Sequence, residues 1–153
     1  MTSQFDSKHG VVSRQPFDLY MAFTDMRNFL QMLPEDKKAG VTADFDTLQA
    51  NVQGYSFGVK VYERTPYSKL VLVDYGAPFA FQIVLHFDAT GMPGQTEFYI
   101  EVSAELNFML KMMLGSKIKE ALDKIVDSMV DISEGRMPEG MDASTFRGSP
   151  FNM

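Results

Sequence analysis

The sequence contains no cysteine and no tryptophan among its 153 residues. Without cysteine the chain can form neither a disulfide scaffold nor a thiolate metal site, and it has no cysteine nucleophile. It also lacks any run near the roughly 18 apolar residues that a membrane span requires, and its first residues do not pair a basic segment with an apolar one. We therefore expect a soluble, cytoplasmic protein without an integral membrane segment.

Basic charge is scarce as well. The 14 Lys and Arg residues stand against 20 Asp and Glu residues, for a net charge of -6. Binding to the phosphate backbone of a nucleic acid needs clustered Lys and Arg. The composition thus argues against nucleic acid as a partner, and it leaves the oligomeric state open.

Histidine is nearly absent too, with His9 and His86 as the two copies. The sequence has no Gly-rich phosphate loop, no paired histidines at helical spacing, no G-x-S-x-G motif and no calcium-binding loop. A nucleophile, histidine and carboxylate triad would have to use one of the two histidines. His86 falls on the polar face of its predicted strand, so we interpret it as a surface residue. We assign no catalytic residue, no cofactor and no metal ion.

Two groups of acidic residues have a regular spacing. Asp44 and Asp46 are two residues apart on a predicted strand, where they would share one face and could hold a hard cation. Solvent-facing charge is the simpler interpretation of that pair. Asp123, Asp127 and Asp131 step by four residues along a predicted helix, and we interpret them as its solvated face.

Phenylalanine and methionine are abundant, with 13 and 12 copies. Methionine is flexible and polarisable, so it fills irregular apolar space. An interior rich in both residue types suits either a plainly packed core or an adaptable apolar cavity. The composition leaves both interpretations open.

The strongest periodic pattern predicts a long C-terminal helix from Asn107 to Glu134. Its apolar residues recur at three- and four-residue steps, so they form one stripe that needs a covering surface. The strands that precede the helix offer the large apolar surface that can cover it. The stripe comprises Leu110, Leu114, Ile118, Leu122, Ile125, Met129 and Ile132.

The N-terminal part predicts one strand followed by two short helices. The strand is expected from Phe5 to Arg14, with Gly10 as a candidate bulge. Pro16 suits the start of a helix, because proline there loses no helical hydrogen bond. Asp25 is a suitable N-cap for a second helix over Met26–Leu33, which ends before the next proline.

The middle of the chain predicts antiparallel strands over Asp44–Val52, Tyr55–Glu63, Ser68–Tyr75, Phe79–Asp88 and Glu97–Leu106. The third strand is apolar on both faces, so its inward face stays undetermined. The last two strands form a hairpin. If Ala89 pairs with Thr96, apolar residues face each other on one side of this hairpin and the other side carries glutamates.

A curved antiparallel sheet wrapped around one long helix is an α+β arrangement that can leave apolar space between its layers. Phe29 and Met32 of the second short helix are expected to form a lid over this space, and Tyr20, Tyr55 or Tyr75 would orient a bound molecule. The predicted ligand-binding residues are Phe57, Val59, Phe81, Ile83, Leu85, Phe98, Ile100 and Val102 from the sheet, Met109, Met112 and Met113 from the long helix, and Phe29.

Three segments resemble parts of a known superfamily. The segment FTDMRNFLQMLP at Phe23–Pro34 is similar to the first helical segment of that superfamily. The segment VYERTP at Val61–Pro66 is similar to the turn after its third strand. The segment MLKMMLGSKIKEALDKIVDSM at Met109–Met129 is similar to its closing helix. With the order of predicted elements, these segments make Phe5–Glu134 resemble the START-like, or SRPBCC, superfamily, which includes the birch-pollen-allergen proteins and the polyketide cyclase/dehydrase group. The resemblance implies a helix-grip fold with a hydrophobic pocket between the sheet and the long helix.

The resemblance implies no single mechanism, because members bind lipids, hormones or polyketides, cyclise or hydrolyse substrates, or activate chaperones. No position here matches a catalytic motif of the superfamily, and the iron-ligand constellation of its ring-hydroxylating members is absent. We expect one START-like domain over residues 1–134 and a poorly structured tail over residues 135–153.

Three functions follow as hypotheses. The favoured one is non-enzymatic binding or carriage of a small hydrophobic molecule, a lipid or an aromatic metabolite, in the cavity between sheet and helix. The second is a cyclase- or hydratase-type enzyme that uses an inward tyrosine or carboxylate in the same cavity. The third is a protein-interaction module whose core is filled.

Overall fold

The computed structural model describes residues 2–32, 39–52 and 55–135, except the side chains of Met32, Val52 and Tyr55. Within these residues the chain forms eight strands and three helices. The strands are β1 (Thr2–Asp6), β2 (Gly10–Val12), β3 (Val41–Ala43), β4 (Thr47–Val52), β5 (Tyr55–Thr65), β6 (Lys69–Asp74), β7 (Phe81–Ala89) and β8 (Thr96–Glu105). The helices are α1 (Pro16–Phe23), α2 (Arg27–Met32) and α3 (Phe108–Ser133).

The strands form one antiparallel sheet in the order β1-β8-β7-β6-β5-β4-β3, and β2 also pairs with β8. The sheet curves around α3, which packs mainly against β1, β2 and β8. The helix α1 packs against β6 and β7. The predicted α+β architecture, a curved antiparallel sheet around a long C-terminal helix, is confirmed.

The hairpin of β7 and β8 has the predicted register, with Ala89 opposite Thr96. Apolar side chains therefore meet on the inner face, which turns toward α3. These inner pairs are Phe87–Phe98, Leu85–Ile100, Ile83–Val102 and Phe81–Ala104.

The predicted first strand is interrupted. Asp6 of β1 pairs with Glu101, whereas Gly10 of β2 pairs with Phe98. Residues 7–9 therefore lie opposite residues 99–100 of β8, which makes a β-bulge with one extra residue on the N-terminal side. The bulge precedes Gly10, the predicted bulge residue, which pairs regularly with Phe98. The strand begins at Thr2 instead of Phe5.

The first short helix begins as predicted, and the second begins at Arg27, one residue later than predicted. Pro16 is the first residue of α1. Asp25 precedes α2, and its Oδ1 accepts a hydrogen bond from the Arg27 backbone N–H at 3.0 Å. The predicted end of α2 after Leu33 lies outside the described residues.

The predicted strand over Asp44–Val52 is wrong in its first part, because Asp44 lies in the turn between β3 and β4. Its Oδ1 accepts hydrogen bonds from the backbone N–H groups of Asp46 at 3.0 Å and Thr47 at 2.7 Å. An aspartate that bonds to the backbone ahead of it stabilises a turn rather than an extended strand. Asp44 and Asp46 therefore do not share a strand face.

The inward face of β6, which the sequence leaves undetermined, is the face of Leu70 and Leu72. Their exposed fractions are 0% and 5%, and both belong to the hydrophobic core. Side chains alternate along a strand, so Asp74 lies on the same inner side. Asp74 pairs there with Val59 of β5.

The helix α3 begins after Asn107, whose side chain accepts a hydrogen bond from the Leu110 backbone N–H at 2.8 Å. This contact satisfies one of the free N–H groups of the first turn. Among the helices of the described residues, none is both long and apolar enough to cross a bilayer.

The buried face of α3 differs in part from the predicted stripe. Its buried residues are Leu122, Val126, Met129 and Ser133. Leu122 and Met129 are therefore predicted correctly. Ile125 is 45% exposed, so its place on the stripe is wrong. The helix turns Val126 toward β2, and this rotation moves Ile125 to the edge of the covered face.

The short helices close one end of the space between the sheet and α3. Phe23 of α1 stacks on Phe87 and Phe98, with 5.9 Å and 5.6 Å between ring centroids. Arg64 of β5 donates from Nε to the Thr24 hydroxyl at 2.7 Å and from Nη2 to the Thr24 carbonyl at 2.8 Å. We call this the closed end.

Candidate functional site

The opposite end of the same space is the open end. Here β5 begins at Tyr55, β6 ends at Asp74, β7 begins at Phe81 and α3 begins at Phe108. Because α3 lies over β1, β2 and β8, it leaves the inner face of β5 to β7 less covered at this end.

Burial decreases along β7 from the closed end to the open end. Phe87 is 1% exposed, whereas Ile83 and Phe81 are half-buried. Val59 and Phe57 on the inner face of β5 are half-buried as well. The inner face is thus packed at the closed end and presents accessible apolar surface at the open end.

Aromatic rings line this accessible surface. Phe79 contacts both Phe57 and Phe81, with 6.1 Å and 5.9 Å between ring centroids. Gly58 allows the end of β6 to approach β5 closely, because a Cβ there would lie 1.9 Å from the Tyr75 carbonyl oxygen. The Tyr75 N–H donates to the Gly58 carbonyl at 2.9 Å, which holds the two strands together beside the rings.

Two polar side chains interrupt the apolar inner face near the open end. Asp74 is half-buried, and its Oδ1 accepts a hydrogen bond from the Phe81 backbone N–H at 3.0 Å. Ser3 pairs with Ala104 and is 3% exposed, and its Oγ has no hydrogen-bond partner among the residues that the structure describes. Sequence reasoning missed both residues, because the inward face of β6 was undetermined and Ser3 preceded the predicted first strand.

A cleft of about 310 Å³ crosses the rim of the open end. It begins beside Asp74 and Phe81 and continues onto the outer face, where Gln82 and Ser103 pair. Its lining consists of Thr2, Val73, Asp74, Ala80, Phe81, Gln82, Ser103, Ala104 and Glu105.

The predicted ligand-binding residues other than Phe29 fall into three groups, and the role of all of them stays a prediction. The half-buried residues Phe57, Val59, Phe81 and Ile83 lie together at the open end, and the buried residues Leu85, Phe98, Ile100 and Val102 belong to the packed core. Met109, Met112 and Met113 are 69%, 70% and 59% exposed on the first turns of α3.

The predicted lid and orienting tyrosines are spread over both ends. Phe29 lies at the closed end, where its ring is 5.1 Å from that of Phe23. Tyr20 is also at the closed end and 9% exposed, whereas Tyr75 is 42% exposed at the open end. The side chains of Met32 and Tyr55 lie outside the described part of the chain.

The two histidines lie together on the outer face of the sheet. His86 is opposite Tyr99, as predicted, and its ring stacks on Tyr99 with 4.4 Å between centroids. His9 stacks on the same tyrosine at 4.0 Å, so Tyr99 lies between the two imidazoles. His9 Nδ1 pairs with Glu97 at 3.1 Å, and His86 pairs with Glu101. Both histidines are remote from the apolar inner face.

The solvated face of α3 carries a row of carboxylates, Asp123, Asp127 and Asp131, and part of this carboxylate row also has a structural role. The Asp123 carboxylate accepts a hydrogen bond from the Lys8 backbone N–H at 2.6 Å, and Asp127 pairs with Lys8 Nζ at 2.7 Å. Hydrogen bonds from Lys119 and then from the Lys8 backbone lower the pKa of Asp123. The row thus links α3 to the β-bulge. Within the described ranges, no group of three or more His, Asp or Glu side chains is arranged to hold a metal ion.

The comparisons with known proteins come from solved structures. No protein-family model and no curated protein sequence matches the chain. A solution NMR structure from Thermobifida fusca superposes with a TM-score of 0.65 at 10% identity, covering 86% of this chain and 93% of that one. Norcoclaurine synthase from Thalictrum flavum superposes with a TM-score of 0.61 at 11% identity, covering 86% of each chain. The chain has the START-like helix-grip fold.

A third similar structure is that of a conserved protein of unknown function from Enterococcus faecalis, with a TM-score of 0.58 at 14% identity over 92% of this chain and 78% of that one. The helix-grip fold that the sequence resemblance implies is thereby confirmed. Identities this low carry the architecture and no activity.

Proposed function

We propose that the protein binds a small hydrophobic molecule, a lipid or an aromatic metabolite, at the open end of its helix-grip fold. The observation that carries this proposal is the decrease in burial along the inner face, from the packed rings of Phe87 and Phe98 to the half-buried rings of Phe57 and Phe81. An accessible inner face next to a packed one offers apolar surface without requiring the core to unfold.

The apolar surface that a ligand would cover provides the driving force for binding. Covering about 200 Å² of it would contribute roughly 5 kcal/mol, at about 25 cal/mol per Å². The loss of translational freedom and the ordering of side chains offset part of this gain. The contributing surface is that of Phe57, Val59, Phe79, Phe81 and Ile83, which are half-buried.

The fold comparison supports a ligand of this size by analogy. One neighbour with a TM-score of 0.59 and 12% identity is norcoclaurine synthase in complex with dopamine and hydroxybenzaldehyde. That complex concerns the plant enzyme, and at this identity it supports only the capacity of the fold to hold small aromatic molecules.

Native mass spectrometry of freshly purified protein is the first test. We expect an additional mass that is released on denaturation, and extraction then gives its chemical class. A bare protein mass, together with no binding of an apolar dye, would instead favour a protein-interaction module with a filled core.

A pair of tryptophan substitutions tests the location. Ile83→Trp places an indole on the half-buried inner face of β7, and Tyr62→Trp places one at a 70% exposed position of β5. We expect Ile83→Trp to weaken binding of the uncharged dye N-phenyl-1-naphthylamine by about tenfold or more, because the indole fills the space that the dye would occupy. Tyr62→Trp should bind the dye like the wild type.

Equal dye binding by the two variants would contradict the proposed location. Ile100 is less suitable for this test, because it is 2% exposed in the core and a tryptophan there would overpack it.

Asp74 favours a cyclase- or hydratase-type enzyme as the second candidate function, since it places an ionisable group on the inner face beside apolar surface. A positioned carboxylate can act as a general base. This alternative predicts that the wild type converts the extracted ligand, whereas Asp74→Asn binds it without conversion. A ligand that both proteins leave unchanged would favour the carrier.

A further inference from the structure

One row of inner-face residues crosses the sheet near the open end. Strand pairing places Val59 beside Asp74 and Ala104 beside both Phe81 and Ser3. The hydrogen bond from Phe81 N–H to the Asp74 carboxylate joins the two halves of the row. The row therefore carries one carboxylate and one hydroxyl among apolar neighbours.

The carboxylate of Asp74 lacks a positive partner in the described part of the chain. The hydrogen bond from Phe81 at 3.0 Å engages Oδ1, and no Lys, Arg or His of the described residues pairs with this carboxylate. Lys60, on the neighbouring strand, pairs with Val73 and thus lies on the outer face, where its Nζ is 5.9 Å from the centroid of the Tyr75 ring. A carboxylate that is half-buried next to apolar surface gains from a cationic ligand group.

Phenylalanine residues lie on both strands next to Asp74. The Phe81 N–H on β7 donates to the Asp74 carboxylate, and Phe57 on β5 lies two residues before Val59, the partner of Asp74. The ring of Phe79 contacts the rings of both phenylalanines. The face of an aromatic ring attracts a cation, and the attraction adds to that of a nearby carboxylate. The same rings offer stacking surface to an aromatic body.

Ser3 is the second polar residue of the same row. It is 3% exposed and lies three strands from Asp74, about 14 Å away at about 4.8 Å per strand. A small ligand that pairs with Asp74 therefore does not reach this hydroxyl.

We propose that the open end selects ligands in which a protonated amine is attached to an apolar, aromatic body. The ammonium group pairs with Asp74, and the body lies over Phe57, Phe79 and Phe81. This inference rests on the proposed ligand-binding function and adds the charge of the ligand to it. Lys111 near the start of α3 and Lys60 on the outer face of β5 are exposed cations near this end that would favour the opposite charge.

Three probes that differ in one functional group test the proposal. Phenethylamine, phenethyl alcohol and phenylacetate share the phenyl body and are cationic, neutral and anionic at neutral pH. NMR titration would give the dissociation constant of each probe. We expect the amine to bind about tenfold more tightly than the alcohol, which corresponds to about 1.4 kcal/mol, and the acid to bind most weakly.

Asp74→Asn should reduce the affinity for the amine to that for the alcohol. The asparagine keeps an oxygen that can accept the Phe81 N–H, so the strand pair is retained. Asp6→Asn, on the exposed outer part of β1, removes the same charge and should leave the preference for the amine intact.

The outcomes separate this inference from the proposed function. Equal affinities for the three probes, or a preference for phenylacetate, would overturn the amine proposal while leaving hydrophobic binding in place. A preference for the amine that persists in Asp74→Asn would remove Asp74 from the site. If none of the probes binds and the uncharged dye N-phenyl-1-naphthylamine does not bind either, both proposals fail.

Discussion

Tyr99 lies between the imidazole rings of His9 and His86 on the outer face of the sheet. Its hydroxyl donates to Asp88 at 2.9 Å. Burial and then this hydrogen bond raise the pKa of Tyr99 to about 12. The folded state therefore favours the neutral phenol, because a phenolate would lose its solvation and face a carboxylate.

The raised pKa of Tyr99 predicts a loss of stability at high pH. An unfolded tyrosine ionises near pH 10, so the stabilising contribution is complete below about pH 10 and is lost as the pH rises toward 12. Titration of phenolate absorbance in the folded protein should show a transition near pH 12 that Tyr99→Phe removes. The control Tyr62→Phe, at a 70% exposed position, should leave this transition in place. An unchanged titration of Tyr99→Phe would contradict the assignment.

Single residues also explain which parts of the site could be predicted from the sequence. The inward positions of Phe81 and Ile83 follow from strict alternation in β7, and the structure agrees. Asp74 could not be assigned, because β6 is apolar on both faces and its direction is decided only by pairing with β5 and β7. Ser3 required knowledge of the bulge, which changes the number of residues that pair with β8.

At the scale of the elements, Gly10 determines how closely α3 approaches the sheet. A Cβ at this position would lie 2.6 Å from Val126 Cγ1 and 2.9 Å from Val130 Cγ2. Side chains on the helix thus occupy the space that a larger residue on β2 would need. The β-bulge and the Lys8 contacts with Asp123 and Asp127 bring this glycine to its place under the helix.

Replacing Gly10 should therefore separate β2 from α3. We expect Gly10→Ala to lower the free energy of unfolding by about 1–3 kcal/mol through overpacking, as measured by urea denaturation. Gly115→Ala provides the matched control within α3, because its Cβ would be 3.6 Å from the Phe5 ring, an ordinary contact. That substitution should raise stability by up to about 1 kcal/mol, since alanine favours helix over glycine. Equal stabilities of the two variants would contradict the close approach.

Two charge substitutions three residues apart test the orientation of α3. Leu122→Asp would place an unpaired carboxylate at a position that is 7% exposed, and we expect it to cost several kcal/mol. Ile125→Asp introduces the same charge at a position that is 45% exposed and should change the melting temperature little. Equal effects in thermal denaturation would mean that the helix presents a different face.

Local chemistry decided where predicted elements were right or wrong. The hairpin of β7 and β8 combines strict alternation with a short turn, so its register follows from the pairing of apolar residues. The predicted strand that begins at Asp44 is wrong at its start, because the Asp44 side chain bonds to the backbone of the next residues and makes a turn. In α3 the periodicity located the helix, whereas the choice between Ile125 and Val126 depended on where β2 lies.

The whole molecule has a packed end and an accessible end. At the closed end the rings of Phe23, Phe87 and Phe98 form one stack. Arg64 donates a hydrogen bond to the Thr24 hydroxyl beside them. The open end exposes apolar groups at the first turns of α3, where Phe108 is 74% exposed. Stability is therefore expected to differ between the two ends of the same strands.

Hydrogen exchange should detect this difference along β7. We expect the backbone amides of residues 81–83 to exchange about tenfold faster than those of residues 85–87, because fewer packed side chains oppose local opening at the open end. A bound ligand should slow the first group and leave the second unchanged. Uniform exchange along β7, measured by mass spectrometry or NMR, would contradict a division into packed and accessible ends.

The extra residue of the β-bulge at residues 7–9 changes which residues of the N-terminal strand face the helix. Before it, the odd-numbered residues Ser3 and Phe5 face the helix, and after it the even-numbered residues Gly10 and Val12 do so. An alignment that ignores the extra residue would exchange inside and outside for every position on one side of the bulge. Comparing this region with a relative therefore requires counting residues between the two half-strands before comparing their identities.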